Sequence, residues 1–323
     1  MVKQTFDQFP EEMWVTAVQV ATVWTTPESA RDIDAHGTDN PTNIDQWISG
    51  LTYETNLALC DENRVQTQLL YGEPVLVTEI KEKWAHIVIP SQPSKKDMRG
   101  YPGWVPLSQL SKVNRAKWKS PETAAIINDK TWLESDHGEK EMKLSYMTFL
   151  PVAEVHEDRV EVKTPHGNKF LPKASTYIFS SEKGMDPASG ENIVKAADPF
   201  VSLDYFWGGM SSFGYDCSGL AYAMHKANGY EIARDADDQA ASGENVDDDK
   251  LLPGDLVFFA YEEGKGRLHH VGIYYGDGKM IHAPQTGKGI EIISMKGTKY
   301  EKELCAARRY WCRYRKGNND DGR

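Results

Sequence analysis

Hydrophobic and polar positions alternate along much of the amino-terminal half of the chain, the period of a strand with one buried face. Thr16, Val18, Val20 and Thr22 share such a face, and runs over 69–80 and 84–89 follow, separated by a short charged turn. The pattern recurs: Tyr71, Pro74, Val75, Val77 and Ile80 match Tyr146, Pro151, Val152 and Val155, and Trp104-Val105-Pro106 matches Phe170-Leu171-Pro172. A repeat of short strands predicts two related small β modules rather than one. Inside the first copy, Ile44, Trp47, Ile48 and Leu51 switch to helical spacing behind Thr42 or Asn43, either of which can cap, so a helical insertion is expected over about 42–60.

The grammar changes after the turn-rich stretch 180–190. Ile193, Val194 and Ala197 take helical spacing, as do Leu220, Ala221 and Met224, with Gly229 as a stop. The acidic run 235–249 reads as a solvated surface loop. Strands then resume over 256–260, 271–275, 279–283 and 289–293, joined by turns such as Gly276-Asp277-Gly278, as in consecutive antiparallel hairpins. The expected organisation is a first module at 10–112, a second at 113–180, a third domain at 186–315 and a polar tail at 316–323.

Composition narrows the function classes. A length of 323 residues with 40% hydrophobic positions supports several packed domains, and a negative mean hydropathy argues against an integral membrane protein. The net charge of −11 speaks against a nucleic-acid partner, because phosphate-backbone affinity needs clustered Lys and Arg. Four scattered cysteines are too few for a disulfide framework, so reduced thiols are expected. The first residues contain no apolar secretory segment. A monomer is the default expectation.

One cysteine stands apart. Cys217 lies between Asp216 and Ser218, where the glycine-rich segment beginning at Tyr205 runs into a helical pattern. A thiol in a first helical turn has its anion favoured by the helix dipole. A cysteine hydrolase also needs an imidazole and a group to orient it. His269, His270 and His282 follow in the chain, and His270 and His282 lie six positions either side of Gly276, so a symmetric hairpin sets them nearly opposite each other. Alternation sends His269 and His270 to opposite faces. A zinc site made of Cys217, His270 and His282 lacks the usual chelate spacing. Cys60, Cys305 and Cys312 read as structural thiols.

Asp216-Cys217-Ser218-Gly219 after Tyr205-x-Trp207-Gly208-Gly209, then Pro253-Gly254-Asp255-Leu256-Val257, His270-Val271-Gly272-Ile273-Tyr274 and Ile281-His282-Ala283, resembles the signature of the NlpC-type cell-wall cysteine peptidases. The resemblance implies a multidomain protein: two all-β SH3-like barrels ahead of an α+β papain-like domain. It implies Cys217 as nucleophile, His270 as general base and acid, His282 as the residue orienting it, and Tyr205 beside the oxyanion. No metal or cofactor is implied. Within the family the two leading modules look like those of the γ-D-glutamyl-L-diamino acid endopeptidases, which cut murein stem peptides bearing a free amino-terminal L-Ala. There, Asp216 and Ser218 would help hold the substrate, and Tyr101 and Glu73 of the first module would cap the pocket. The serine-rich run frequent in the family after Arg-Asp is replaced here by Ala236-Asp237-Asp238-Gln239. Rival readings are a non-catalytic cell-wall binding protein and an amidase or acyltransferase on the same scaffold. A free L-Ala requirement suits cytoplasmic recycling; a chain shorn of its leader would suit the envelope.

Overall fold

The computed structural model describes residues 2, 3 and 6–311; Cys312, the expected end of the third domain at 315 and the expected tail lie outside the described residues. Seven strands, Glu12–Thr16, Val20–Trp24, Val65–Leu70, Pro74–Lys81, Trp84–Ile89, Tyr101–Pro106 and Leu110–Asn114, make the first sheet. Across it their order is third, second, sixth, fifth, fourth, first, seventh. Glu122–Ile126, Lys130–Glu134, Lys140–Ser145, Phe149–Val155, Arg159–Thr164, Gly167–Pro172 and Thr176–Ser180 repeat that order in a second sheet. The repeat in the sequence is therefore a duplicated topology. Trp84 faces Pro106 in one copy and Arg159 faces Pro172 in the other, and each proline ends a strand that passes into a short 3-10 turn.

The alternation misleads at two turns. Positions 16–22 and 69–80 are not single strands: the chain turns between Thr16 and Val20 and again between Leu70 and Pro74, where Gly72 has φ +77°. A hairpin leaves period-two patterning intact on either side of its turn, so alternation cannot locate the break. The strand Leu110–Asn114 also crosses the module boundary expected at 112/113.

The two copies differ chiefly in two connections. Between the second and third strands the first module carries 25–64 where the second has 135–139, and between the fifth and sixth strands it carries 90–100 where the second has 165–166. The helical insertion is thus wider than 42–60. Its main helices are Ile44–Gly50 and Tyr53–Asp61, and the cap of the first is Asn43, whose side chain accepts the Gln46 N–H. Trp47, fully buried on this insertion, packs on Trp24 of the barrel and edge-on against Phe206 of the third domain.

The third domain is a six-stranded antiparallel sheet in the order Glu244–Asn245, Leu304–Arg309, Leu256–Ala260, Leu268–Gly276, Lys279–His282, Glu291–Ser294. The helices Gly190–Ala197 and Cys217–Ala227 pack together against it. The acidic stretch 235–249 is not a plain solvated loop. It contains the helix Ala236–Ala241, and Gln239 is buried with its amide donating to the carbonyls of Ser218 and Ala233 at 3.1 and 2.8 Å. The three domains share apolar contacts: Tyr146, Met147 and Phe149 of the second module join the core around Leu220 and Met224, while Val65 and Trp24 of the first pack with Phe206 and Phe213. Among the described residues, no helix is long and apolar enough to cross a membrane.

Candidate active site

The glycine-rich segment before Cys217 is held from outside its own domain. The first module's third strand accepts the Trp207 indole N–H at the Val65 carbonyl (2.9 Å), and its Gln68 side chain accepts from Met210 N–H and Ser211 Oγ–H at 3.1 and 3.2 Å. Ser145 of the second module accepts the Ser212 N–H at 2.9 Å. Gly219 and Gly209 approach closely: a Cβ on Gly219 would stand 2.1 Å from the Gly209 carbonyl oxygen. Only backbone fits between helix and loop. The motif Pro253-Gly254-Asp255 is likewise structural, since the Asp255 carboxylate caps Leu252 N–H and binds Arg309 at 2.6 Å.

Cys217 opens the helix Cys217–Ala227, half-buried, with Asp216 as the cap accepting the Gly219 N–H at 2.6 Å. The expected thiolate does not follow. Burial pushes the thiol up to about 12, and the neighbouring Asp216 carboxylate adds to the rise; the Val271 N–H, Arg234 and the Ser218 N–H pull the other way and do not prevail. A helix terminus cannot offset a dry site with an adjacent carboxylate. That Val271 N–H also fixes the sulfur against the strand Leu268–Gly276, one residue from His270.

His270 and His282 are buried and meet edge-on, His270 Nε2 to His282 Nδ1 at 2.7 Å. They do not stand directly opposite. The hairpin is centred past Gly276: Gly276 pairs with Lys279 and, beyond a register shift, Ile273 faces Ile281, so His282 comes beside Gly272, where a Cβ would lie 3.5 Å from its own. The pair is diagonal, and the missing side chain at Gly272 leaves the two rings room to meet. His282 Nε2 lies 3.4 Å from a carboxylate oxygen of Glu291, its partner across the next strand pair. At that distance His282 Nε2 makes no hydrogen bond, but a small turn of the carboxylate would supply one. If His282 turns Nε2–H to Glu291, its Nδ1 accepts Nε2–H of His270, and His270 Nδ1 keeps a lone pair to take a thiol proton. Burial, and the repulsion that a charged His282 would exert, hold His270 well below an ordinary imidazole, so the resting pair is neutral.

The remaining expected residues separate into groups. Tyr205 is buried next to the thiol, and burial, then the Cys217 and Asp216 charges, raise its phenol well above the usual value. Ser218 and Asp216 are tied together by Arg234, whose guanidinium donates to Asp216 Oδ2 at 2.7 Å and to Ser218 Oγ at 2.8 Å while its Nε reaches Thr67 of the first module at 2.8 Å. Both Asp216 oxygens thereby have partners inside the protein. Tyr101 is brought to this corner: its hydroxyl donates to the Asp235 carboxylate at 3.1 Å and lies 3.3 Å from Gln66 Oε1. Glu73 is not. It sits in the turn after Leu70, accepts the Leu70 N–H at 2.9 Å and a Ser91 hydroxyl, and lines a cavity of about 210 Å³ with Tyr222 and Lys226. The first-module polar side chains that reach Tyr101 are Gln66 and Lys96.

Arg234, Asp235, Gln66 and Glu291 escaped the sequence reading. Arg234 and Asp235 were visible only as the Arg-Asp that precedes the replaced serine run, with no role of their own. Cys217, His270 and His282 do not converge as metal ligands: among the described residues, the triads whose ligand atoms do are Glu154, His156 and Glu161, and Asp235, Asp237 and Asp238.

The NlpC/P60 family pattern matches residues 202–309, a YKFC SH3b2 domain matches 126–179, and a bacterial dipeptidyl-peptidase SH3 domain matches 61–110. The chain is 45% identical over 290 residues to the γ-D-glutamyl-L-lysine dipeptidyl-peptidase of Bacillus subtilis (strain 168), covering 90% of this chain and 96% of that one. It is 34% identical over 297 residues to the protein of the same name from Bacillus cereus, covering 91% and 89%. The crystal structure of an NlpC/P60 family protein from Bacillus cereus superposes with a TM-score of 0.89 at 33% identity over 93% of this chain and 99% of that one. The chain belongs to the NlpC/P60 family: it is a cysteine peptidase of the cell-wall class, preceded by two bacterial SH3-type modules.

Proposed function

We propose that this peptidase hydrolyses the γ-D-Glu to L-diamino acid bond, with meso-diaminopimelate or L-Lys on the leaving side, of murein stem peptides whose amino-terminal L-Ala is free. The observation that carries the reading is the corner beside Cys217 where Tyr101 of the first module meets Asp235 of the peptidase domain, an aromatic face and a carboxylate fit for an ammonium. The relative of matching length named a γ-D-glutamyl-L-lysine dipeptidyl-peptidase supports the bond chosen.

In this reading the substrate's first two residues lie between Cys217 and that corner. Asp216 and Ser218, braced by Arg234, hold the rim against the substrate backbone, and the ammonium falls to Asp235 because the Asp216 oxygens are already engaged. Cys217 passes its thiol proton to His270 Nδ1 as sulfur adds to the γ-carbonyl carbon. The oxyanion is met by the Cys217 N–H and the Tyr205 hydroxyl. His270 then returns the proton to the departing amine, leaving a thioester. Water, deprotonated by His270, adds to the thioester, and Cys217 leaves, taking that proton back from His270, as the dipeptide acid forms. A free L-Ala terminus belongs to peptides already detached from glycan, and the proposed role is turnover of such peptides, with the cytoplasm as the proposed compartment.

Blocking the amine tests the pocket. Peptides acetylated on L-Ala are expected to lose at least tenfold in kcat/KM relative to the free peptide; equal cleavage of both would remove Asp235 and Tyr101 from substrate reading.

A further inference from the structure

The corner that suits an ammonium already contains one. Lys96 Nζ lies 3.0 Å from Asp235 Oδ2, 2.9 Å from Gln66 Oε1 and 4.1 Å from the centroid of the Tyr101 ring, and bonds the Tyr101 hydroxyl as well. Three oxygen acceptors meet the three N–H donors of a lysine head group, and the ring face covers a further side.

The side chain arrives there on a device of its own. Lys96 belongs to the connection 90–100, which the first module has and the second lacks. This loop is docked on the peptidase domain. The Pro93 carbonyl accepts the Arg234 N–H at 3.0 Å, Asp238 accepts the Lys95 N–H at 3.0 Å, and Tyr222 donates its hydroxyl to the Ser91 carbonyl. Within the loop, Gln92 is buried and bonds Thr67 and Gln68. The anchored backbone brings Lys96 to the cage, while its side chain remains 37% exposed, with water within reach of the displaced ammonium.

Charge makes the occupancy exclusive. Asp235 is the carboxylate in contact with the ammonium. The nearby Asp237 and Asp238 are engaged by Lys95, and Asp216 by Arg234. A second ammonium placed beside Lys96 would share one carboxylate with it and face Arg234 as well.

We propose that Lys96 is a built-in competitor for the amino terminus of the substrate: it fills the ammonium cage in the resting enzyme and must be displaced by the α-ammonium of an incoming peptide. The proposal rests on the amine-reading pocket proposed above. The competitor is weak, since a partly exposed ion pair contributes only about 0.2–1 kcal/mol. It tunes KM and does not block the site. Because only an ammonium regains the interactions that Lys96 gives up, the same device sharpens discrimination against blocked peptides.

The test is steady-state kinetics of the full chain and of Lys96→Met, which keeps the apolar stem and removes the charge, on free and N-acetylated L-Ala-γ-D-Glu-L-Lys. The expected result is a KM for the free peptide lowered about two- to fivefold by Lys96→Met, with the gain in KM rather than kcat, and poor cleavage of the acetylated peptide by both. An unchanged or raised KM with the preference for the free amine intact would overturn the role of Lys96 alone. Equal cleavage of both peptides by the wild-type enzyme would overturn the amine-reading pocket and the proposal with it.

Discussion

Cys217 has the helix position of an activated thiol without the surroundings to ionise unaided. Its thiol is pushed up to about 12 while His270 is held well below an ordinary imidazole. In the proposed mechanism the nucleophile is therefore made during attack, by transfer to a neutral base. This fixes the sign of the pH dependence. His270 stays unprotonated as pH falls through 6.5, so the acid limb of kcat/KM for free enzyme is expected well below pH 6.5. No alkaline loss comes from the thiol in the usual range, and any decline near pH ~8 should follow deprotonation of the substrate amine. A pH profile on the free peptide checks both, and an acid limb centred above 6.5 would contradict the neutral pair. At this scale Cys217, His270 and His282 were legible because each sits in a local motif. Arg234 and Asp235 were not, because their partners Thr67 and Tyr101 are 167 and 134 positions away and become neighbours only when the domains dock.

At the scale of elements, the helix Cys217–Ala227 and the loop before it are one fitted part. Gly219→Ala would bring a Cβ to 2.1 Å from the Gly209 carbonyl, and a backbone atom cannot rotate aside. The loop carrying Tyr205 and Trp207 must shift instead. The expected outcome is at least a tenfold loss of kcat with a lowered melting temperature, checked by kinetics and thermal unfolding. Wild-type kinetics in that variant would mean that the loop does not set the nucleophile. The helix itself could be read from its apolar spacing and Gly229, and four of the six peptidase strands from runs joined by glycine turns, whereas Glu244–Asn245 and Leu304–Arg309 could not. The hairpin register could not. One irregularity near Tyr274 to Gly276 moves His282 relative to His270, and no sequence rule counts residues through a bulge. Glu291 stayed hidden for the same reason, since the connection between its strand and that of His282 has no fixed turn length.

Across the whole molecule, the barrels complete the site: strand Val65–Leu70 braces the loop before the nucleophile, and the 90–100 connection carries Lys96 to the peptidase domain. The duplicated topology was readable as a repeat, whereas the task of its insertions was not, since the residues they meet belong to another domain. The packing buries titratable groups as well. His225 and His282 are both neutral in the fold, pushed down to about 4 chiefly by burial. The unfolded chain binds those protons near pH 6.5, so stability is full above that value and falls as pH drops toward 4, by roughly 3 kcal/mol for each histidine. Thermal melts between pH 7 and pH 4 are expected to show this decline. A flat melting temperature across the window would contradict the buried neutral histidines.

The most direct test of the central claim is the mass of the products formed from L-Ala-γ-D-Glu-L-Lys-D-Ala. The wild-type enzyme is expected to release the L-Ala-γ-D-Glu dipeptide, and Cys217→Ala to leave the peptide intact. Release of that dipeptide by Cys217→Ala, or cleavage by the wild type at a different bond, would contradict the account.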